Sequence, residues 1–445
     1  MNYHGEIVGL LELGSKNPGD LNPVGALKLK EVLPLFATAT SRAVEELNTR
    51  VQAIIKEKFT AIHPAVEWKF QNAARKYLAN QAKGIPAGLD PIVFKDVYPL
   101  YGLTDIRGSS VHRNQAIRED LTDQLTMARD IVLAARRFKA LPILDELSYR
   151  IGRRVEAISQ GLSSADEISI LEFLRMDVES LFNHIAEYDD SVKDQIRLYR
   201  DALDPSLNIL YRKRKDFEES VHQLNEAVGS YIEEEEAKAQ LMFPHYFEKY
   251  KSDGVDYTMY IGADIVGEGK FDHLYLRNLR LWQLMMTCGI ARCAGRLKQE
   301  LKVPLETSNL ILVQNSPMSI RFRVDEKKFD VDGAYNVRYE IMKKRIDKAM
   351  IHGRAERLTQ PGMIAIVYSQ PREAAEYREY LDFLSARGFI EGDVESLELE
   401  ELQGVQGLRA LRVKVNTEAE AANTAVLLER IEGAVKAMVE RALGD

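Results

Sequence analysis

The segment with the clearest potential for chemistry runs Tyr98-Pro-Leu-Tyr-Gly-Leu-Thr-Asp-Ile-Arg-Gly-Ser-Ser-Val-His-Arg113. It places glycine and two serines directly before a helical pattern. Ser109 or Ser110 can therefore cap the helix, while free N–H groups and the helix dipole attract an anion. Arg107 and Arg113 could hold a phosphate or carboxylate by bidentate hydrogen bonds. The segment is a candidate anion site.

The same residues also fit a helix start without any ligand. Serine is a common N-cap residue because its hydroxyl satisfies backbone N–H groups at the first turn. In that interpretation Arg107 pairs with Asp105 or with another acid. The sequence alone leaves both interpretations open.

A second candidate lies between residues 321 and 333, where acidic and basic residues alternate around a Gly-containing turn. An EF-hand frame fails here, because Lys328 would take the first ligand position and Tyr339 the last, and calcium needs oxygen ligands at both. The acids could still bind a metal in another arrangement, or could form a solvated turn. The metal-binding candidates are Asp325, Asp330 and Asp332.

Basic residues surround this acidic turn and extend into the following helical pattern. They could bind the phosphate of a ligand, but aromatic residues are not interleaved as single-strand platforms require. Neighbouring acids neutralise part of the charge. Nucleic-acid binding is therefore disfavoured. The anion-binding candidates in this region are Arg321, Arg323, Lys344 and Arg345.

The chain has 445 residues, is 45% hydrophobic and carries a net charge of −8. This length predicts about three domains, and the charge argues against a surface devoted to nucleic acid. The two cysteines, Cys288 and Cys293, lie in one helical pattern at a spacing that suits neither a disulfide nor a metal pair. Without a long apolar run or a signal peptide, the sequence predicts a cytoplasmic protein with no membrane span.

The hydrophobic periodicity predicts an α+β protein with four parts. Residues 1–82 form an N-terminal unit, 83–110 a Pro/Gly-rich linker, 111–251 a helical bundle, and 252–445 an antiparallel or mixed sheet covered by helices. The predicted strands are 256–262, 309–314, 319–324, 363–368 and 408–415. The predicted helices include 27–58, 274–301, 335–351, 371–387 and 417–443.

The N-terminal unit begins with Gly5-Glu-Ile-Val-Gly-Leu-Leu-Glu-Leu-Gly-Ser-Lys-Asn-Pro-Gly19, followed by a long helix. This strand, turn and helix resemble the closing strand and exit helix of a GAF domain. The resemblance covers about the first fifty residues and lacks the ligand pocket, so it implies small-molecule sensing without assigning a residue to it. A lone strand leaves its backbone groups unpaired. Either it joins a sheet elsewhere in the chain or the chain is a truncated form of a longer protein, and the second interpretation is favoured.

These features predict a cytoplasmic signalling or regulatory protein that is not an enzyme. Its C-terminal module would bind a small anionic ligand or a protein partner, and its helices leave a homodimer open. The alternative is a metal-dependent enzyme of phosphate or nucleotide chemistry that uses the acidic turn at 325–332 and the basic residues nearby. No motif identifies a cofactor.

Overall fold

The computed structural model describes residues 1–3, 6–16, 23–59, 62–85, 88–161, 164–266, 271–333, 337–402 and 405–418. Within them the predicted fold class is confirmed, since one large mixed sheet packs against helices on both faces. No helix in these ranges is both long and apolar enough to cross a membrane.

Strand β3 lies in the middle of this sheet, whose strand order is β10-β11-β9-β6-β3-β5-β4, and the β7–β8 hairpin adds to one end of β3. The pairings are antiparallel except for β6 with β9, which is parallel. The strands are β3 (Val93–Ile106), β4 (Tyr246–Lys251), β5 (Gly254–Gly262), β6 (Thr307–Leu312), β7 (Met318–Arg323), β8 (Lys328–Asp332), β9 (Met363–Tyr368), β10 (Ile390–Glu398) and β11 (Arg409–Val415).

The linker predicted at 83–110 is wrong for most of its length, because Val93–Ile106 forms the central strand β3. Pro99 suggested a linker, since proline cannot donate to a strand ladder. The structure accommodates it where β3 changes partner. Val97 pairs with Met318 of β7 and Tyr101 pairs with Leu312 of β6, so Pro99 falls between the two ladders.

Helices cover the two faces of the sheet with separate cores. The core on one face lies between the sheet and three helices, α1 (Pro23–Lys58), α2 (Pro64–Ala82) and α10 (Val337–Lys343). It includes Phe70 of α2 and Leu310 of β6. On the other face α8 (Lys213–Met242), α9 (His273–Leu297) and α11 (Pro371–Ala386) pack with residues such as Tyr257 and Ile366. We call these the α10 face and the α9 face.

The predicted helical bundle is present, and the chain enters it from β3 and returns to the same sheet at β4. Its own apolar core includes Leu125, Ile151 and Val192. The last helix of this region begins at Lys213. The bundle contains α3 (Ser109–Phe138), α4 (Pro142–Gln160), α5 (Ser164–Phe173), a π-helical turn (Leu174–Val178), a 3-10 turn (Glu179–Leu181), α6 (Phe182–Ile185), α7 (Asp190–Ala202) and α8.

The predicted N-terminal strand is wrong in most of its described part. Only β1 (Asn2–Tyr3) and β2 (Glu6–Ile7) pair, with each other, and residues 8–16 have no regular structure. The described residues of this segment make no pairing with the large sheet. The helix that follows is confirmed as α1. The predicted helix at 417–443 lies almost entirely outside the described residues.

Candidate functional site

The most polar part of the α10 face lies where β3 ends. In the ladder Asp105 stands between Gly254 of β5 and Ser308 of β6, and paired residues project to the same face of a sheet. Gly254 has a φ of 155°, and a Cβ there would lie 2.3 Å from the carbonyl oxygen of Thr104. This position therefore requires glycine, because any side chain there would collide with the backbone of β3 beside Asp105. We call this place the Asp105 site.

Charged groups of both signs act on the Asp105 carboxyl. Its pKa is raised to about 6, mainly by burial and also by the carboxylates of Asp347 and Asp253, while the charges of Arg107 and Arg357 lower it. Asp347 belongs to a 3-10 turn, Ile346–Lys348, that follows α10. Partial burial of a carboxyl among other acids is the kind of arrangement that occurs at functional sites.

Two buried oxygen atoms at this end of the sheet have no hydrogen-bond partner within the described ranges. They are Ser308 Oγ and Asp347 Oδ1. Ser308 is 1% exposed, so its hydroxyl has little access to solvent. Buried polar atoms in proteins nearly always have a partner, which can be a water, an ion or a ligand. The Asp105 site therefore has the capacity to bind a further polar group.

Helix α3 begins directly beyond Arg107. Its N-cap is Gly108, in the left-handed conformation at φ 68°, and no side chain caps the helix. The predicted capping by Ser109 or Ser110 is therefore wrong. Ser109 is buried and its Oγ has no partner among the described residues, whereas Ser110 is exposed. The start of α3 keeps backbone N–H groups that no serine side chain satisfies.

The structure separates the two arginines predicted to form one clamp. The charge of Arg107 lowers the pKa of Asp105. Arg113 instead donates to Asp253 Oδ1 at 2.9 Å, and both side chains are about half exposed. Arg113 is thus engaged on the outer side of the β4–β5 turn.

A lysine and two carboxyls occupy the neighbouring part of the α10 face. Lys343 Nζ donates to Thr258 Oγ1 at 3.0 Å and lies 5.0 Å from the ring centroid of Tyr101. Burial raises the pKa of Glu248 to about 7 and raises that of Asp256, and the Lys343 charge opposes both shifts. Lys343 therefore stabilises two carboxylates that would otherwise be poorly solvated.

Replacing Lys343 by Met should destabilise the protein more at pH 8 than at pH 5. The raised pKa of Glu248 means that its contribution to stability is present below its unfolded pKa and is lost as the pH rises through about 7. Without the lysine that loss should grow, by about 1–2 kcal/mol at pH 8. The measurement is the urea unfolding midpoint at both pH values. Lys344→Met changes an exposed neighbour, and a loss equal to that of Lys343→Met would contradict the assignment.

The acidic turn predicted to bind a metal forms the connection of the β7–β8 hairpin. Arg321 Nε lies 3.1 Å from Asp332 Oδ1, and Arg323 contacts Asp325 at 3.4 Å and Asp330 at 3.8 Å. These arginines, predicted to bind anions, thus pair with the predicted metal ligands. In the described part of the chain no group of three or more His, Cys, Asp or Glu is arranged to hold a metal ion.

At the Asp105 site only Arg107 was a candidate from sequence. Asp105, Ser308, Asp347 and Arg357 were not. Lys344 and Arg345 are exposed, whereas Lys343 points at the sheet. One signal was available, because Lys343 lies four residues after the buried Tyr339 and so shares its side of α10. No comparable signal marks Ser308 or Asp347.

The comparisons with known proteins reach only part of the chain. A family model described as "YeeD uncharacterised protein" matches residues 115–228, which is well under half of the sequence and corresponds to α3 through the first half of α8. No curated protein sequence matches the chain. A crystal structure of the guanylyl cyclase Cya2 aligns with 12% identity over 72% of this chain and 93% of that chain, at a TM-score of 0.29. A likeness of this degree says nothing about the activity of the present protein.

Proposed function

We propose that the protein is a regulatory ligand-binding protein whose Asp105 site binds a phosphorylated small molecule together with a divalent cation. The observation that carries the proposal is the register of Asp105 opposite Ser308, a buried residue whose hydroxyl lacks a partner among the described residues, at a strand end where the charges of Asp347, Arg107 and Arg357 all act on the Asp105 carboxyl. The acidic turn at 325–332 supports this role less well, because its carboxylates pair with arginines of the same hairpin.

The two charge types call for a ligand that satisfies both. Two neighbouring carboxylates repel each other when ionised, and a divalent cation between them would relieve that repulsion. Magnesium commonly binds one or two protein carboxylates and completes its shell with water and phosphate oxygens. The arginines can bind the remaining phosphate oxygens by bidentate hydrogen bonds. A phosphate ester with magnesium therefore fits better than either an anion or a cation alone.

The test is calorimetric titration of the purified protein with ATP and with GTP, each with magnesium and with EDTA. Magnesium-dependent binding of either nucleotide is the expected result. The proposal fails if neither binds at millimolar concentration, or if the affinity is the same in EDTA, because then the carboxylates do not hold a cation.

Arg357→Gln should weaken magnesium-dependent nucleotide binding at least about tenfold, which corresponds to about 1.4 kcal/mol. The substitution removes a guanidinium that acts on the site without disturbing the sheet, since Arg357 is exposed. Arg354→Gln is the matched control, because Arg354 lies in the same loop and acts on Glu395 instead. Equal affinities for the two variants would remove Arg357 from the site.

Catalysis on the bound phosphate is the second candidate function. It is favoured by the pKa of Asp105, which at about 6 suits a group that accepts a proton near neutral pH. Incubation with magnesium and nucleotide, followed by chromatography of the products, decides between the two. Turnover that is lost in Asp105→Asn would show an enzyme, whereas binding without any product supports the regulatory protein.

The regulatory part of the proposal rests on chain connectivity. Only two residues separate the end of β3 from the start of α3, so occupancy of the Asp105 site would act directly on the first helix of the bundle. A protein partner and a homodimer stay predictions. Exposed apolar residues on α1, namely Val32, Leu35 and Phe36, agree with either, and light scattering of the purified chain would show whether it is a dimer.

A further inference from the structure

A second polar cavity lies on the opposite, α9 face of the sheet, away from the Asp105 site. Its volume is about 590 Å³, within the usual range for small-molecule pockets. One wall comes from the first turns of α9, the other from the first turns of α11, and the loop after β6 completes the lining. We call it the α9–α11 pocket.

One arginine in the wall of the pocket is fixed and neutralised. Arg280 is 4% exposed, and it donates to Glu376 Oε2 at 2.8 Å and to Asn315 Oδ1 at 2.5 Å. Glu376 also accepts a hydrogen bond from the Tyr380 hydroxyl at 2.7 Å. This ion pair lines the pocket with polar groups, but its two charges neutralise each other, so it adds no net charge.

The net positive charge of the pocket comes from the other two arginines in its lining, Arg277 and Arg372. Arg277 lies 3.8 Å from Glu379, and both side chains are more than half exposed, so the pair is weak in water. The Tyr380 hydroxyl is a second hydrogen-bond partner of Arg277. Arg372 has no acidic partner within the described ranges, and it lies at the second position of α11. With three arginines and two glutamates lining the cavity, the excess charge is positive.

The backbone at the two helix starts does not provide the binding groups. Asp272 caps α9 by accepting from the Leu274 N–H. At α11 the Gln370 side chain accepts from the backbone N–H of Glu373, and the Glu373 carboxylate accepts from the N–H groups of Ser369 and Gln370. A ligand would therefore have to be bound by side chains. Tyr98 adds an aromatic ring to the lining, next to the exposed His273.

We propose that the α9–α11 pocket is a second ligand site, which binds a small phosphate monoester through Arg372 and Arg277. The phosphate dianion matches the two guanidinium groups, because arginine binds phosphate oxygens in pairs. The ring of Tyr98 offers an apolar surface to the organic part. This site needs no cation, in contrast to the Asp105 site, and it lies on the other face of the same sheet.

The test uses phenyl phosphate, whose ring and phosphate match the two parts of the pocket, with inorganic phosphate as the comparison. Titrations are run calorimetrically in EDTA, so that a cation-dependent Asp105 site does not contribute. The wild-type protein should bind phenyl phosphate more tightly than inorganic phosphate. Absence of phenyl phosphate binding at millimolar concentration would overturn the proposal.

Arg372→Gln should weaken phenyl phosphate binding at least about tenfold, a loss of about 1.4 kcal/mol. The matched control is Arg378→Gln, because Arg378 lies on the same helix and donates to Ser396 of β10 outside the pocket. A loss of similar size in both variants would indicate a general charge effect and would overturn the site.

Arg357→Gln separates this inference from the function proposed above. That variant should bind phenyl phosphate in EDTA as the wild type does, even though its magnesium-dependent nucleotide binding is weakened. If Arg357→Gln lowers phenyl phosphate binding as much as Arg372→Gln does, the phosphate is binding at the Asp105 site and the α9–α11 pocket is not a phosphate site.

Discussion

Asp105→Asn should abolish magnesium-dependent nucleotide binding and, at the same time, stabilise the unliganded protein at neutral pH. Asparagine keeps the shape of the side chain but removes the charge that a cation needs, so we expect affinity to fall at least about a hundredfold, or about 2.8 kcal/mol. The gain in stability follows from the raised pKa, because folding forces an ionised carboxyl into a place where burial and Asp347 disfavour it.

The sign of the pH dependence can be stated in advance. The pKa of Asp105 rises from 3.8 to about 6 on folding. Its contribution to stability is therefore present below about pH 4 and is lost as the pH rises through 6. The asparagine variant escapes this loss. Allowing for partial solvent access, we expect it to be about 1–2 kcal/mol more stable than the wild type at pH 7.5 and equal near pH 4.

The measurements are the urea unfolding midpoint at both pH values and the nucleotide titration with magnesium. Asp96→Asn is the matched control, because Asp96 lies exposed on the same strand with a φ of 52°, a conformation that asparagine tolerates. Lower stability of Asp105→Asn at pH 7.5 would show that the carboxylate is needed for the fold, and it would contradict a binding role.

Asp120→Ala should destabilise the helical bundle by about 3 kcal/mol, since it removes a buried, charged hydrogen-bond acceptor. Asp120 lies on α3 and is 1% exposed. Its carboxylate accepts from three consecutive backbone N–H groups at the start of α8, those of Arg212, Lys213 and Arg214, at 3.2, 2.9 and 3.0 Å. The N-cap of α8 has no side-chain cap of its own, so Asp120 acts as its cap from another helix.

The unfolding midpoint in urea, followed by far-ultraviolet circular dichroism, measures this loss. Asp123→Ala removes the same charge one helical turn along α3, where the side chain is exposed, and it should change stability by no more than about 0.5 kcal/mol. If the two variants unfold at the same urea concentration, the three hydrogen bonds to Asp120 contribute little.

The parts of the fold that were correct from sequence are those where neighbours along the chain decide the structure. The helices of the bundle follow from apolar residues such as Leu121, Leu125 and Ala128, whose spacing places them on one side. Strand β9 was predicted with both ends correct, because Met363–Tyr368 is a short apolar run bounded by turn signals. Its burial on both faces explains why it shows no alternation.

The strand at the centre of the sheet was missed because its signal depends on distant residues. Pro99 is acceptable in β3 because it lies between two ladders on one edge of the strand. Pairing with β7 ends at Val97, and pairing with β6 begins at Tyr101. Strands β4, β8 and β10 were also missed, since each mixes charged with apolar residues and depends on its pairing partners for its conformation. Local propensity carries little information about such strands.

The sequence by itself determined the α+β class, the helical bundle and the interest of the Arg107 region, because periodicity and residue type are local properties. Only the tertiary structure decided which side chains meet there. Ser308 and Asp347 are far from Asp105 along the chain, and sheet register and the turn after α10 bring them to the same end of β3. A binding site depends on distances between residues that have no fixed spacing in sequence, so residue patterns could indicate its chemistry but not its members.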